Sequence, residues 1–154
     1  MDDMLRRKDR QLSVQAANEL LAQGKICHLA IAAHDEPYLV TMNYGYRDTT
    51  LYFHCAGAGK KLELLRQNSR VCFTVIADTM LVASDKPCDF TMKYRSVVGY
   101  GTARLVEGHE EKSRALDIIM AQYSHEAFEF PQAAMAATAV FVVDIESMTA
   151  KSNY

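Results

Sequence analysis

The sequence predicts a mainly β, α+β domain, with about six strands in an antiparallel barrel and two or three helices at its periphery. Three observations carry that expectation. Short runs rich in β-branched and aromatic residues follow one another along the chain, separated by tight polar turns. Helix-period runs are few and stand at the margins of the strand runs. The strands are largely sequential, which favours an antiparallel arrangement over a strand–helix–strand fold.

The elements follow in order. "SVQAANELLAQ", residues 13–23, reads as a helix with Ser13 as its N-cap and Gly24 as its stop. "KICHLAIAA" (25–33) is a first strand, "HDEP" a turn, and "YLVTMNYGY" (38–46) a second strand. "RDTT" turns into "LYFH", the third. Residues 58–68 form a short helix with Leu62 and Leu65 inward, and "RVCFTVI" (70–76) continues the sheet. Residues 78–92 read mainly as loop. "YRSVVGYGTARLVE" (94–107) is long for one strand, and its two glycines, Gly99 and Gly101, call for a bulge or a close backbone approach. A helix over 109–123 is marked by Leu116, Ile119, Met120 and Tyr123 at i, i+3, i+4 and i+7. Residues 138–146 close the sheet, with Phe141, Val143 and Ile145 on one face and Asp144 and Glu146 on the other.

Composition excludes several classes. At 154 residues, 49% of them hydrophobic and 23% charged, the chain reads as one globular domain over 1–154. A net charge of −2 argues against a nucleic-acid binder, which needs a basic face. The opening "MDDMLRRKDRQLS" is charged and no apolar run is long enough to span a bilayer, so the expectation is a cytoplasmic protein without membrane contact. Cys27, Cys55, Cys72 and Cys88 are widely spaced and read as reduced thiols. "Cys27-His28" and "His54-Cys55" raise a metal site, but neighbouring strand residues point to opposite faces, so neither pair can chelate one ion; no metal is expected.

The stretch "HCAGAGKKL" (54–62) carries the chemistry. It is no Walker A loop, because Lys61 stands where Ser or Thr should hold magnesium, and no dinucleotide fingerprint, because Gly57-x-Gly59 lacks a third glycine. Two readings stay open on the residues alone. Such a turn is more often a solvated helix start; the alternative is an oxyanion cradle of small-residue backbone, a helix N-terminus and two lysines. The five histidines are scattered and no hydrolytic constellation stands out. Tyr38, Val40, Met42, Tyr44 and Tyr46 share a face by parity, as core or dimer packing does.

"LYFHCAGAGKKLELLRQNSRVCFTVI", followed by "YRSVVGYGTARLVE", resembles the flavin-binding split-barrel family related to pyridoxamine 5'-phosphate oxidase, within it the nitroimidazole-resistance (Nim-type) branch. The likeness covers residues 4–123 and 139–150. It implies a six-stranded antiparallel split β-barrel and a homodimer with FMN at the subunit interface. It places the isoalloxazine along the backbone of Val40, Thr41, Met42 and Asn43, and His54 and Cys55 facing the phosphate and ribityl region. Lys60 and Lys61 match the basic pair on the phosphate, Lys61 the closer fit, and Ser96 matches a polar position that contacts FMN across the interface.

The chain departs from that pattern at Thr41, where the branch often has Pro, and at Arg95, where an acidic residue is common. Its C-terminal "ESMTAKSNY" lacks the basic residues that pyridoxamine phosphate oxidases use for substrate phosphate. The function implied is an FMN-dependent oxidoreductase, a nitroreductase of the nitroimidazole-resistance type for small aromatic substrates, fed by a nicotinamide or other electron donor. The flavin carries the redox chemistry, so no side chain need act as base; His54 is the first candidate for a catalytic group. The alternatives are a flavin- or heme-binding carrier, sensor or storage protein without turnover, and a pyridoxamine phosphate oxidase-like enzyme.

Overall fold

A computed structural model of the chain describes residues 5–154; Met4, where the resemblance begins, and the three residues before it lie outside the described residues. The first helix, α1 (Val14–Gln23), starts where the sequence places it: the Ser13 hydroxyl accepts from the Ala16 amide at 3.1 Å. Ala17, Leu20 and Leu21 recur at helical spacing and are buried. Gly24 ends the helix by a different device from the left-handed cap. Its backbone is extended, and a Cβ there would lie 2.4 Å from the Tyr44 hydroxyl and 2.6 Å from Val75. Space rather than conformation selects glycine at that position.

Among the described residues seven strands, not six, form one sheet: β1 (Cys27–Ala33), β2 (Glu36–Met42), β3 (Gly45–Arg47), β4 (Thr50–Ala56), β5 (Arg70–Val82), β6 (Thr91–Val106) and β7 (Thr138–Ser152). Every pairing is antiparallel, in the order β2-β1-β5-β6-β7-β4-β3. The extra strand arises because the run 38–46 is interrupted at Asn43 and Tyr44. β2 and β3, three residues apart at their nearest ends, stand at opposite edges of the sheet. Three peptide steps span at most about 11 Å, so the sheet must curl until its edges approach. No ladder joins them, and the barrel is left unclosed: a split barrel in outline.

Side chains replace the missing ladder at this break. The Tyr44 amide donates to the Tyr123 hydroxyl at 2.9 Å, and the Tyr44 hydroxyl donates to the Leu21 carbonyl at 2.6 Å. Gln122 accepts from the Tyr46 amide at 3.2 Å and donates to the carbonyls of Leu21, Ala22 and Gly24 at 2.7–3.0 Å. Tyr44 is fully buried, so each of these groups would be costly unpaired.

The region 78–92 also differs from the loop expected of it. The β5–β6 ladder resumes after an irregularity at Ala77/Met80 and runs on through Met80↔Lys93 to Val82↔Thr91, with one turn of 3-10 helix (Pro87–Asp89) at the tip. This arm projects beyond the core, so Met80, Leu81, Phe90 and Met92 are exposed and show no alternation of burial. A strand without a buried face has no period-2 signature to read. The expected irregularity at Gly99 and Gly101 is present. The β6–β7 register shifts between Tyr100 and Gly101, and Cβ atoms at these glycines would meet Phe73 and the Asp144 carbonyl at 2.4 Å each.

The remaining helices are α2 (Lys60–Gln67), α3 (His109–Ala121) and a short α4 (Gln132–Ala137) that the sequence pattern does not announce. The main core lies inside the curled sheet under α1 and α2. It includes Leu62 and Leu65, as expected, and the stacked rings of Phe53 and Phe141, 5.0 Å apart. A smaller core fills the space between α3, α4 and the outer side of β4 and β7, where Val140 and Val142 are buried. Both faces of β7 are therefore covered at its start, which explains the unbroken "AVFVV"; beyond it Asp144 and Glu146 emerge to solvent as expected. Among the described residues no helix is long and apolar enough to cross a membrane.

Candidate functional site

β4 ends in a loop of small residues, and that end is where the site begins. Leu51 and Phe53 turn into the main core, and Cys55 follows them by parity, while His54 faces the α3–α4 side. The two neighbours diverge as their strand requires, yet both line one cleft at the strand's end. Gly59 then turns the chain into α2 with φ 131°, a conformation L side chains rarely adopt. Among the described residues no side chain caps this helix, so the amides of its first turn are open toward an external acceptor.

The cleft has a volume of about 520 Å³ and is lined by Thr41, Met42 and Asn43 from the end of β2, by His54, Cys55 and Ala56, by Lys61, and by Ala137 and Thr138 where α4 passes into β7. Among the described residues its wall carries one ammonium and no carboxylate. Burial pushes the Cys55 thiol up, with the positive charge of Lys61 acting against it. Among the described residues β2 pairs with β1 alone, so one side of its backbone presents N–H and C=O groups that no described strand satisfies.

The fold brings together six of the residues singled out in the sequence: Thr41, Met42, Asn43, His54, Cys55 and Lys61. Val40 lies just outside, packed against the main core. Lys60 turns away; its ammonium is 3.1 Å from the Glu36 carboxylate and lies over the Tyr38 ring. Ser96, only 5% exposed, sits in a different hollow of about 420 Å³ on the outer face of β5 and β6, with Ile76, Met92 and Lys151. Arg95, the departure noted above, pairs its guanidinium with Asp78 across the β5–β6 ladder. Sequence reasoning missed Ala137 and Thr138. They reach the cleft because β7 pairs with β4 through Ala56↔Thr138 and Cys55↔Ala139, a long-range register with no local signal.

The sequence profile of the pyridoxamine 5'-phosphate oxidase family matches residues 13–152. The chain belongs to this family. The match runs from the N-cap of α1 to the last residue of β7, so it takes in the whole sheet and every wall of the cleft. Among solved structures, the family member is similar to a candidate 5-nitroimidazole antibiotic resistance protein from Bacteroides thetaiotaomicron. Their identity is 33% and the TM-score 0.82, over 92% of this chain and 86% of that one. It is also similar to an FAD-binding protein from Mesorhizobium loti, at 25% identity and a TM-score of 0.71, over 94% and 98% of the two chains. An FAD- and heme-binding protein from Mycobacterium smegmatis shares the fold at 18% identity and a TM-score of 0.81, over 94% and 74%. No curated protein matches the chain.

Proposed function

We propose that this family member is an FMN-dependent oxidoreductase, a homodimer acting on small aromatic substrates that include nitro compounds. The carrying observation is the convergence in one cleft of an unpaired strand edge, the open amides of a helix start and the Lys61 ammonium.

The donor set fits a flavin mononucleotide at both ends. The small-residue loop from Ala56 to Gly59 lets an oxyanion approach the first amides of α2, and Lys61 adds a full positive charge. One helix start and one lysine make a cradle for one phosphate, which favours FMN over a dinucleotide. The alternating donors and acceptors along Thr41, Met42 and Asn43 suit the pyrimidine edge of a flavin ring, with Val40 extending the same edge. When bound, the flavin supplies one- and two-electron transfer chemistry. The chain's own residues then bind and orient. Lys61 and the α2 amides hold the phosphate, Cys55 and Ala56 pack beside it, and the His54 imidazole can hold or pass a proton at a ring nitrogen.

Ser96 enters this reading through a second copy. Its hollow lies on the face where Ile76, Leu81 and Met92 are exposed, an apolar surface of the kind that pairing buries. The names of the Bacteroides and Mesorhizobium proteins support nitro-compound resistance and flavin binding respectively as the setting.

The test is to purify the protein, identify any co-purified cofactor by mass, and titrate FMN and FAD. The flavin is then reduced with NADH or NADPH and reoxidised with a nitroaromatic. FMN bound at one per chain and reoxidised by the nitro compound is the expected result. Absence of flavin binding would overturn the reading, and a bound flavin that no donor reduces would make the protein a binder rather than an enzyme.

A further inference from the structure

The outer side of His54 opens onto a second space. A cavity of about 200 Å³ lies between α3, α4 and β4, more enclosed than the cleft and walled mainly by carbon. Leu116, Ile119 and Met120 of α3 form one wall; Phe130 and Met135 form another. The two polar residues at its rim, His54 and Thr138, are the two that also line the cleft, so the spaces meet there. The Thr138 hydroxyl is already donated to the Ala134 carbonyl at 2.8 Å. Among the described residues no hydrogen bond engages the His54 imidazole, which leaves it as the polar group available to an occupant.

We propose that this cavity binds a molecule with a single aromatic ring and one hydrogen-bonding substituent, the ring among Leu116, Met120 and Phe130 and the substituent toward His54. The proposal rests on the flavin reading only for what happens after binding; the binding itself needs no cofactor. Size sets the class. A dry apolar cavity of about 150 Å³ accepts benzene. At about 200 Å³ the space here matches one ring and a small substituent. Chemistry sets the orientation. An apolar wall offers no partner to a polar group, so a lone substituent is driven to the one end where an imidazole can pair with it. The short side chain of Ala134 keeps the space open, and Met120 and Phe130 bound it, making these three the residues that set which ring fits.

The experiment uses the cofactor-free protein and 4-fluorophenol as a fluorine NMR probe, with 6-fluoro-2-naphthol as the two-ring control. Saturable binding of the phenol and exclusion of the naphthol are expected. Ala134→Leu, and independently Met120→Phe, should weaken the phenol at least tenfold while FMN titration is unchanged. His54→Leu should abolish the preference for 4-fluorophenol over fluorobenzene, about tenfold for one hydrogen bond. No phenol binding, equal binding of the naphthol, or binding indifferent to both cavity-filling variants would overturn the proposal. A chain that binds the phenol but no flavin would overturn the proposed function and leave this site standing.

Discussion

Lys60 and Lys61 are adjacent in the chain and part company in the fold: the Lys60 ammonium lies 3.1 Å from Oε1 of Glu36, whereas Lys61 faces the cleft beside Cys55. A helix turns each successive side chain by about 100°, so one of a basic pair at a helix start can face a ligand while the other meets a neighbouring strand. Lys61→Ala should therefore weaken FMN binding by about 1.5–3 kcal/mol, the range of a hydrogen bond to a charged group. Lys60→Ala should change it by less than about 0.5 kcal/mol, since its exposed ion pair is screened by water. Flavin fluorescence titration measures both; equal losses would remove the distinction.

Ile76 and Ser96 pair across the β5–β6 ladder and lie in the same outer hollow. If that face is covered by a second copy, Ile76→Glu places a carboxylate in the interface and should leave a monomer on size-exclusion chromatography. The same variant should lose flavin affinity, because Ser96 would no longer reach the other subunit's cleft. An unchanged oligomeric state would remove this face from the interface.

Gln122 is 8% exposed and donates to three carbonyls around the end of α1. Gln122→Leu keeps most of the volume and strands those groups, so urea unfolding should show a loss of about 2–4 kcal/mol. Tyr44→Phe should cost about 1 kcal/mol, since the Leu21 carbonyl it abandons still accepts from Gln122. The reverse order would mean the network is held by the tyrosine.

Burial pushes the Cys27 thiol up to about 12 from a usual value near 9. An unfolded chain ionises this thiol from about pH 9, while the folded chain keeps it neutral until about pH 12. Its contribution to stability is therefore full below pH 9 and is lost as pH rises through that window. Urea midpoints at pH 8 and pH 10.5 should fall further for the unaltered protein than for Cys27→Val. A thiol reagent should modify exposed Cys88 at once and Cys27 only on unfolding.

The sequence by itself determined the local elements. α1 with its Ser13 cap, β1, β4, α2 and α3 each carry a burial period within their own residues, and the glycines of β6 announce the bulge beside β7. The family resemblance also named Thr41, Met42, Asn43, His54, Cys55 and Lys61, which the fold gathers along one cleft. Tertiary structure decided what depends on partners far away in the chain. The break at Tyr44 exists because α1 and the turn after α3 satisfy its hydrogen bonds, and the β5–β6 arm carries no burial period because it has no core beneath it. Thr138 reaches the cleft, and Lys60 leaves it, through contacts with β4 and Glu36 respectively. Backbone ladders form with little regard to side-chain identity, so register and strand order are settled by the packing of the whole chain and leave no signature in any one stretch.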